Sequence, residues 1–137
     1  MASDVRFSST VLNGFLDTLN TRIGTSGKLR IYSGTKPATA DAALSGNTVL
    51  AELALTTPNP FGAASSRTVT AASITTDTSA DATGTATFAS FLTSSNTRVL
   101  DVTVGEAADS ADITVNTKSF VAGAQVAITA FSLTLNL

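Results

Sequence analysis

The period of the hydrophobic positions changes once along the chain. Val11, Leu12, Phe15, Leu16, Leu19 and Ile23 recur at spacings of three and four, the stripe of an amphipathic helix. Asn13, Asp17, Thr18 and Arg22 fall on other faces. Ser8 or Ser9 supplies an N-cap, Gly24 a left-handed end and Gly27 a second break, which predicts a helix over residues 8–24. Gly14 sits inside it at some cost. From Lys28 the period falls to two. Leu29 and Ile31 oppose Arg30 and Tyr32 in a strand over residues 28–33. A second strand is predicted over 48–56, where Val49, Ala51, Leu53 and Leu55 alternate with Leu50, Glu52 and Ala54.

Between these strands, Gly34 to Gly46 is long for a hairpin loop and reads as a contact loop, with Pro37 as a break and residues 41–44 fitting one helical turn. Pro58, Pro60 and Gly62 stop regular pairing, and Phe61 among them reads as a core anchor. Weaker alternation over 66–75 predicts another strand. A longer one is predicted over 82–92, with Ala82, Gly84, Ala86 and Phe88 opposite Thr83, Thr85 and Thr87. Residues 98–104 alternate most cleanly: Leu100, Val102 and Val104 against Val99, Asp101 and Thr103. Ile113 and Val115 point inward from a short strand over 111–116, and Phe120 and Val121 are anchors in the following turn. In the last strand, 124–136, the apolar parity switches from Val126, Ile128 and Ala130 to Phe131, Leu133, Leu135 and Leu137. Either a one-residue bulge near Ala130 brings both sets to one face, or the two halves serve different sheets or subunits.

One N-terminal α-helix followed by about seven short strands predicts a mainly β chain, an antiparallel β-sandwich or jelly roll. A single domain spans 1–137: a flexible arm over 1–7, the helix over 8–24 and the sandwich over 28–137. The helix is too short to stand alone. Its stripe must dock, either on the protein's own sheet or on a neighbouring subunit.

Composition narrows the chemistry. The net charge is −2 and the eight basic residues are scattered, which disfavours nucleic acid as a partner. The chain has no cysteine and no histidine, so disulfides, thiol chemistry, the usual general base and the commonest transition-metal ligand are missing. The low charge suits a surface that is covered or arrayed. No apolar run is long enough to span a membrane and no signal peptide opens the chain, which makes a soluble cytoplasmic product the default.

Each chemical motif has a plainer reading. Gly24-Thr25-Ser26-Gly27-Lys28 resembles a phosphate loop only in part: Arg22 stands at the first glycine position, Leu29 follows the lysine, and a helix precedes a strand. Asp77 with Asp81, and Asp109 and Asp112 with Glu106, offer loop carboxylates for Ca²⁺ without the EF-hand spacing. Serine nucleophiles lack a histidine partner. Lys36 and Lys118 are conceivable bases with nothing nearby in sequence to depress their pKa. Paired carboxylates for glycoside hydrolysis want an aromatic cleft, and there is one Tyr and no Trp. No enzymatic activity, cofactor or metal is expected.

The run Leu29-Arg30-Ile31-Tyr32-Ser33-Gly34-Thr35-Lys36-Pro37 opens a series of motifs. It continues through residues 50–55, Pro60-Phe61-Gly62-Ala63-Ala64, residues 80–86, and 113–135 with Val121-Ala122-Gly123 inside. In that order they resemble a set of small structural proteins of tailed phages and prophages, of an LRIY-x-G-x-x-P type. Relatives often carry Trp-Phe-Arg near Phe88-Ala89-Ser90-Phe91, and an aspartate-glycine turn at Ser94-Ser95-Asn96, where this chain departs. The resemblance implies a virion protein made in the host cytoplasm and carried on the capsid surface, with no catalytic residues. A decoration or cement protein is the first expectation, homo-oligomeric (a trimer by the geometry of such shells) and bound to the major capsid protein across capsomer junctions. A tail, neck or fibre component is the alternative; a carbohydrate- or receptor-binding module is another. The expected partner interface comprises Val11, Leu12, Phe15, Leu16 and Leu19 of the helix and Lys36 and Pro37 of the loop.

Overall fold

A computed structural model describes residues 4–135. The chain is mainly β, with one N-terminal helix and a large mixed sheet. Helix α1 spans Ser9–Ile23, capped by the Ser8 hydroxyl, which accepts from the Val11 amide, and ended by Gly24 at φ 71°. The strands are β1 (Lys28–Ser33), β2 (Thr48–Ala54), β3 (Thr68–Thr70), β4 (Gly84–Thr85), β5 (Phe88–Leu92), β6 (Arg98–Gly105), β7 (Ile113–Val115), β8 (Ser119–Phe120) and β9 (Ile128–Thr134). Seven form one sheet in the order β2-β1-β5-β6-β7-β9-β3, and β4 pairs with β8 in a separate ribbon.

The alternating residues meet in register. Leu29 lies between Leu53 and Phe91, and Ile31 between Ala51 and Ala89, so one face of the sheet is apolar from β2 to β6. Bulges adjust this alternation. An extra residue at Leu50 in β2 allows both Leu50 and Ala51 to be buried. In β9 the partners jump from Ala130 to Ile128, leaving Thr129 as the extra residue. That is the bulge the parity switch predicts, and Val126, Phe131, Leu133 and Leu135 all join or pack on the core. Leu137 lies outside the described residues. Phe61, Phe91 and Phe131 meet at the centre with ring centroids 5.1–5.9 Å apart.

Several elements depart from the alternation-based expectation. The pairing is not wholly antiparallel, since β6 and β7 run parallel through Val104↔Ile113 and Gly105↔Thr114. Parallel neighbours usually need a long crossover. Here β7 meets only the end of β6, so a short return suffices, and the Asp112 carboxylate takes the Thr103 amide in place of a further strand residue. The strand expected over 82–92 is broken at Ala86 and Thr87, because Thr87 turns to bond the Tyr32 and Gly34 carbonyls. Residues 41–44 form no helical turn; the hydrogen-bonded turn runs from Thr39 to Ala42. Phe120 is an anchor, but Val121 is 58% exposed.

The segment after β3 brings the outer edges of the sheet together. It follows β9 from Ala71–Phe131 to Asp77–Val126, and on its other side Thr75 and Asp81 bond the Ala54 and Leu50 carbonyls at the free edge of β2. The Asp77 carboxylate takes the Glu52 amide. Two carbonyls and one amide on the free edge of β2 are thus occupied, which partly covers an aggregation-prone edge.

Helix α1 is held on two sides. Leu12, Leu16 and Ile23 are buried against the apolar face. Beside them, Asn13, Asp17 and Asn20 grip the backbone of the segment that carries Phe61. Asn20 donates to the Phe61 carbonyl at 3.1 Å and accepts from its amide at 2.9 Å; Asp17 accepts from Ala64 and Asn13 from Arg67, both at 2.8 Å.

Residues 65–68 close a tight turn by reciprocal bonds between Ser65 and Thr68. Its centre is Ser66 and Arg67, at φ 50° and 63°, a geometry that favours Asn-Gly. Replacing Ser66-Arg67 by Asn-Gly keeps the amide that Asn13 holds. It is expected to raise unfolding stability by about 0.5–1 kcal/mol, read from the urea midpoint at unchanged slope.

Candidate functional site

The expected interface residues separate into three groups. Leu12 and Leu16 are buried at 0% and 2% exposure, and Leu19 is partly buried against the core; their docking target is the protein's own sheet. Val11 and Phe15 are 43% and 46% exposed. Lys36 is exposed and Pro37 half-buried, both in the β1–β2 loop. The sequence pattern did not single out Phe7, which stands edge-on to Phe15 at 5.4 Å, or Val5, which is 65% exposed. Phe7 lies before the first helical turn, so helical periodicity could not include it.

At 3.6 residues per turn, α1 has three faces. Leu12, Leu16, Leu19 and Ile23 form the core face, and Asn13, Asp17 and Asn20 form the clamp. Val11, Gly14, Phe15 and Thr18 share an outer arc of about 100°. A Cβ built on Gly14 would meet nothing within 4 Å. The fold thus has room for alanine there, yet keeps a glycine that costs a helix about 0.5–1 kcal/mol.

The β1–β2 loop is pinned across the second face of the sheet. Asn47 donates to the Ser33 and Thr35 carbonyls, both at 3.0 Å, and its own carbonyl accepts from Ser45. The Arg98 guanidinium on β6 donates to the Ala42 carbonyl. Since β5 lies between β1 and β6, the loop must cross over it. Beneath lie Tyr32 and Phe88, stacked with centroids 5.0 Å apart and both buried, and Ser90, fully buried and bonded to Asp101 at 2.6 Å. Asp101 also pairs with Arg98 at 2.9 Å. Alternation assigns Asp101 to the solvent side; the loop makes that side an interior too. The loop tip leaves Thr35, Lys36, Ala38 and Thr39 exposed, with Leu44 38% exposed.

The remaining charged side chains of this face are paired. Glu52 binds Arg30 at 2.6 Å and Lys28 at 3.5 Å, and both cations reach the Asn96 side-chain carbonyl. The Arg30 hydrogen bond, reinforced by the positive charges, lowers the Glu52 pKa below its ordinary value near 4.5, and Glu52 raises that of Arg30.

Asp77, Asp109 and Asp112 have structural partners. Asp77 takes the Ser79 and Glu52 amides, Asp112 the Thr103 amide and hydroxyl, and Asp109 the Glu106 amide and Lys118 amine. No cluster of three or more metal-binding side chains occurs among the described residues. The Lys118 pKa is raised by the Asp109 hydrogen bond, opposite to what a general base requires. The 24–28 segment is the turn from α1 into β1. Gly27 is needed there because a Cβ would fall 2.3 Å from Ile23 Cγ2 and 3.1 Å from the Leu92 carbonyl. No helix among the described residues is long and apolar enough to cross a membrane. No family model, curated protein or solved structure matches the chain.

Leu16→Asp is expected to abolish the cooperative unfolding transition, since it buries a carboxylate in the core. Val11→Ser is expected to shift the urea midpoint by less than about 0.5 kcal/mol equivalent. Equal effects of the two would contradict the division of faces. Glu52 has its pKa lowered by folding, so its pairs stabilise fully above about pH 4.5 and lose that contribution as pH falls through the lowered value. With side-chain exposure at 36%, the contribution is about 1 kcal/mol or less. Wild type and Glu52→Gln should therefore differ in stability at pH 7 and converge in acid.

Proposed function

We propose that the protein is a non-enzymatic structural component of a tailed-phage virion that decorates the head. In this reading it is an oligomeric cement protein bound to the major capsid protein across capsomer junctions. The sheet, its two-stranded ribbon and the covering helix and loop are read as a sandwich-type or jelly-roll architecture serving that role. The ordered series of motifs from Leu29 onward and the low surface charge support the reading.

The observation that carries it is the pinned β1–β2 loop. Asn47 and Arg98 fix its backbone at both flanks, while Lys36 and its neighbours remain exposed. A loop ordered before binding spares about 0.5–1.5 kcal/mol for each side chain that contact would otherwise immobilise. A protein that binds the assembled shell and not its separated parts favours the shell by mass action. Burial of Tyr32, the single tyrosine, removes the ring best suited to stacking on a sugar and weighs against a carbohydrate-binding module.

Co-sedimentation with purified phage heads tests the reading. Wild type should pellet with heads and make them harder to disrupt. Asn47→Ala is expected to retain the fold at a cost of about 1–2 kcal/mol and to bind heads at least tenfold more weakly. Lys36→Glu should also weaken binding without loss of stability. A ring or tube that ignores heads would move the assignment to the tail, and a chain that binds neither would remove the virion reading.

A further inference from the structure

We propose that the β1–β2 loop is a latched strap: residues 37–46 lift off the second face of the sheet as a unit, without global unfolding, and Arg98 is the latch that holds them down.

The loop covers buried groups and buries none of its own. From Gly34 to Asn47 no residue is buried; Pro37, Ala40, Ala42 and Asn47 are half-buried and the rest are exposed. Leu44, its one large aliphatic side chain, is 38% exposed. Phe61 anchors the segment clamped by α1 by sinking its ring into the core, and this loop has no such anchor. Hydrogen bonds take its place, and they are unevenly spread. Asn47 and Thr87 donate to the Ser33, Gly34 and Thr35 carbonyls at the base of the loop. Among the described residues, the bond from the Arg98 guanidinium to the Ala42 carbonyl is the one hydrogen bond that ties residues 37–46 to the sheet. The Ala42 and Ser45 amides bond within the loop itself. The base is therefore a hinge, and the middle hangs on one contact.

A segment with few buried apolar contacts of its own opens locally at a free energy below that of the whole domain. Closing costs backbone entropy at every residue of the strap. Covering Tyr32 and Phe88, stacked at 5.0 Å, offsets that cost. Closing also takes the Arg98–Asp101 pair out of water, leaving the side chains 10% and 4% exposed. Opening rehydrates both charges while they stay paired, which makes opening easier. Arginine suits the latch because its planar fork reaches two acceptors at once: one nitrogen takes Asp101 and the other the Ala42 carbonyl. Asp101 is in turn fixed by the buried Ser90 hydroxyl at 2.6 Å. The latch thus stands on β5 and β6, and the part that moves is the loop.

This inference does not rest on the virion reading: a chain that opens in this way and ignores phage heads would keep the one and lose the other. Tyr32 is the single tyrosine and there is no tryptophan, so tyrosine emission from the full chain reports this face alone. Acrylamide quenching of that emission is the test, with far-UV circular dichroism recorded in the same urea series. In wild type, quenching should rise at urea concentrations where the dichroism is still native. Arg98→Lys keeps a positive charge beside Asp101 but loses the second nitrogen of the fork. It should raise quenching severalfold without urea while the native dichroism is retained. Lys118→Gln, which breaks an ion pair with Asp109 and leaves the latch intact, should quench like wild type. Quenching in wild type that rises only as the dichroism is lost would overturn the proposal, as would a folded Arg98→Lys chain quenched no more than wild type. Should Arg98→Lys fail to fold, the wild-type series decides alone.

Discussion

The structure depends on the docking of α1, which the helix cannot do without. Its sequence carries Ser, Thr, Asn, Asp and Gly through most of its turns, residues that form helices poorly, and fifteen residues are marginal even for good formers. It persists because two different interactions coincide on it. Leu12, Leu16 and Ile23 give up water to the sheet. Asn13, Asp17 and Asn20 satisfy amides at Arg67, Ala64 and Phe61 that have no strand partner. The polar residues that weaken the helix locally are the ones that hold the neighbouring segment, so the Phe61 ring is delivered between Phe91 and Phe131.

The same economy governs the two faces of the sheet. The apolar face is covered by the helix. The second face is covered by a loop whose backbone is tied down by Asn47 and by Arg98. Burial on both sides explains why every residue of β5, from Phe88 to Leu92, is buried although the strand contains a serine. Ser90 is tolerated because Asp101 accepts its hydroxyl, and Asp101 is tolerated because Arg98 pairs with it. A buried polar chain of this kind holds only when each member is satisfied, and no buried side-chain polar atom among the described residues lacks a partner.

The surface then divides by what the fold leaves uncovered. The loop tip is polar and its backbone is held by hydrogen bonds, whereas the outer face of α1 exposes Val11 and Phe15.

Much of this organisation was legible in the chain itself. The helix ends, at Ser8 and Gly24, follow from cap chemistry that is local to a few residues. The strands β1, β2 and β6 follow from alternation that one buried face imposes, and the bulge in β9 follows from the switch in apolar parity. These are short-range consequences of backbone geometry. What the chain alone left open depends on contacts distant in sequence. The helical stripe could not say whether it met its own sheet or another subunit; tertiary packing buried Leu12 and Leu16 and left Val11 and Phe15 outside. Asp101 read as solvent-facing until a loop 56 residues before Arg98 crossed above it. Asn13, Asp17 and Asn20 read as an ordinary polar face, because a side chain that binds another segment's backbone has no periodicity of its own. The parallel pairing of β7, the breaking of the strand at Thr87 and the emptiness around Gly14 were likewise decided only when distant parts of the chain came together.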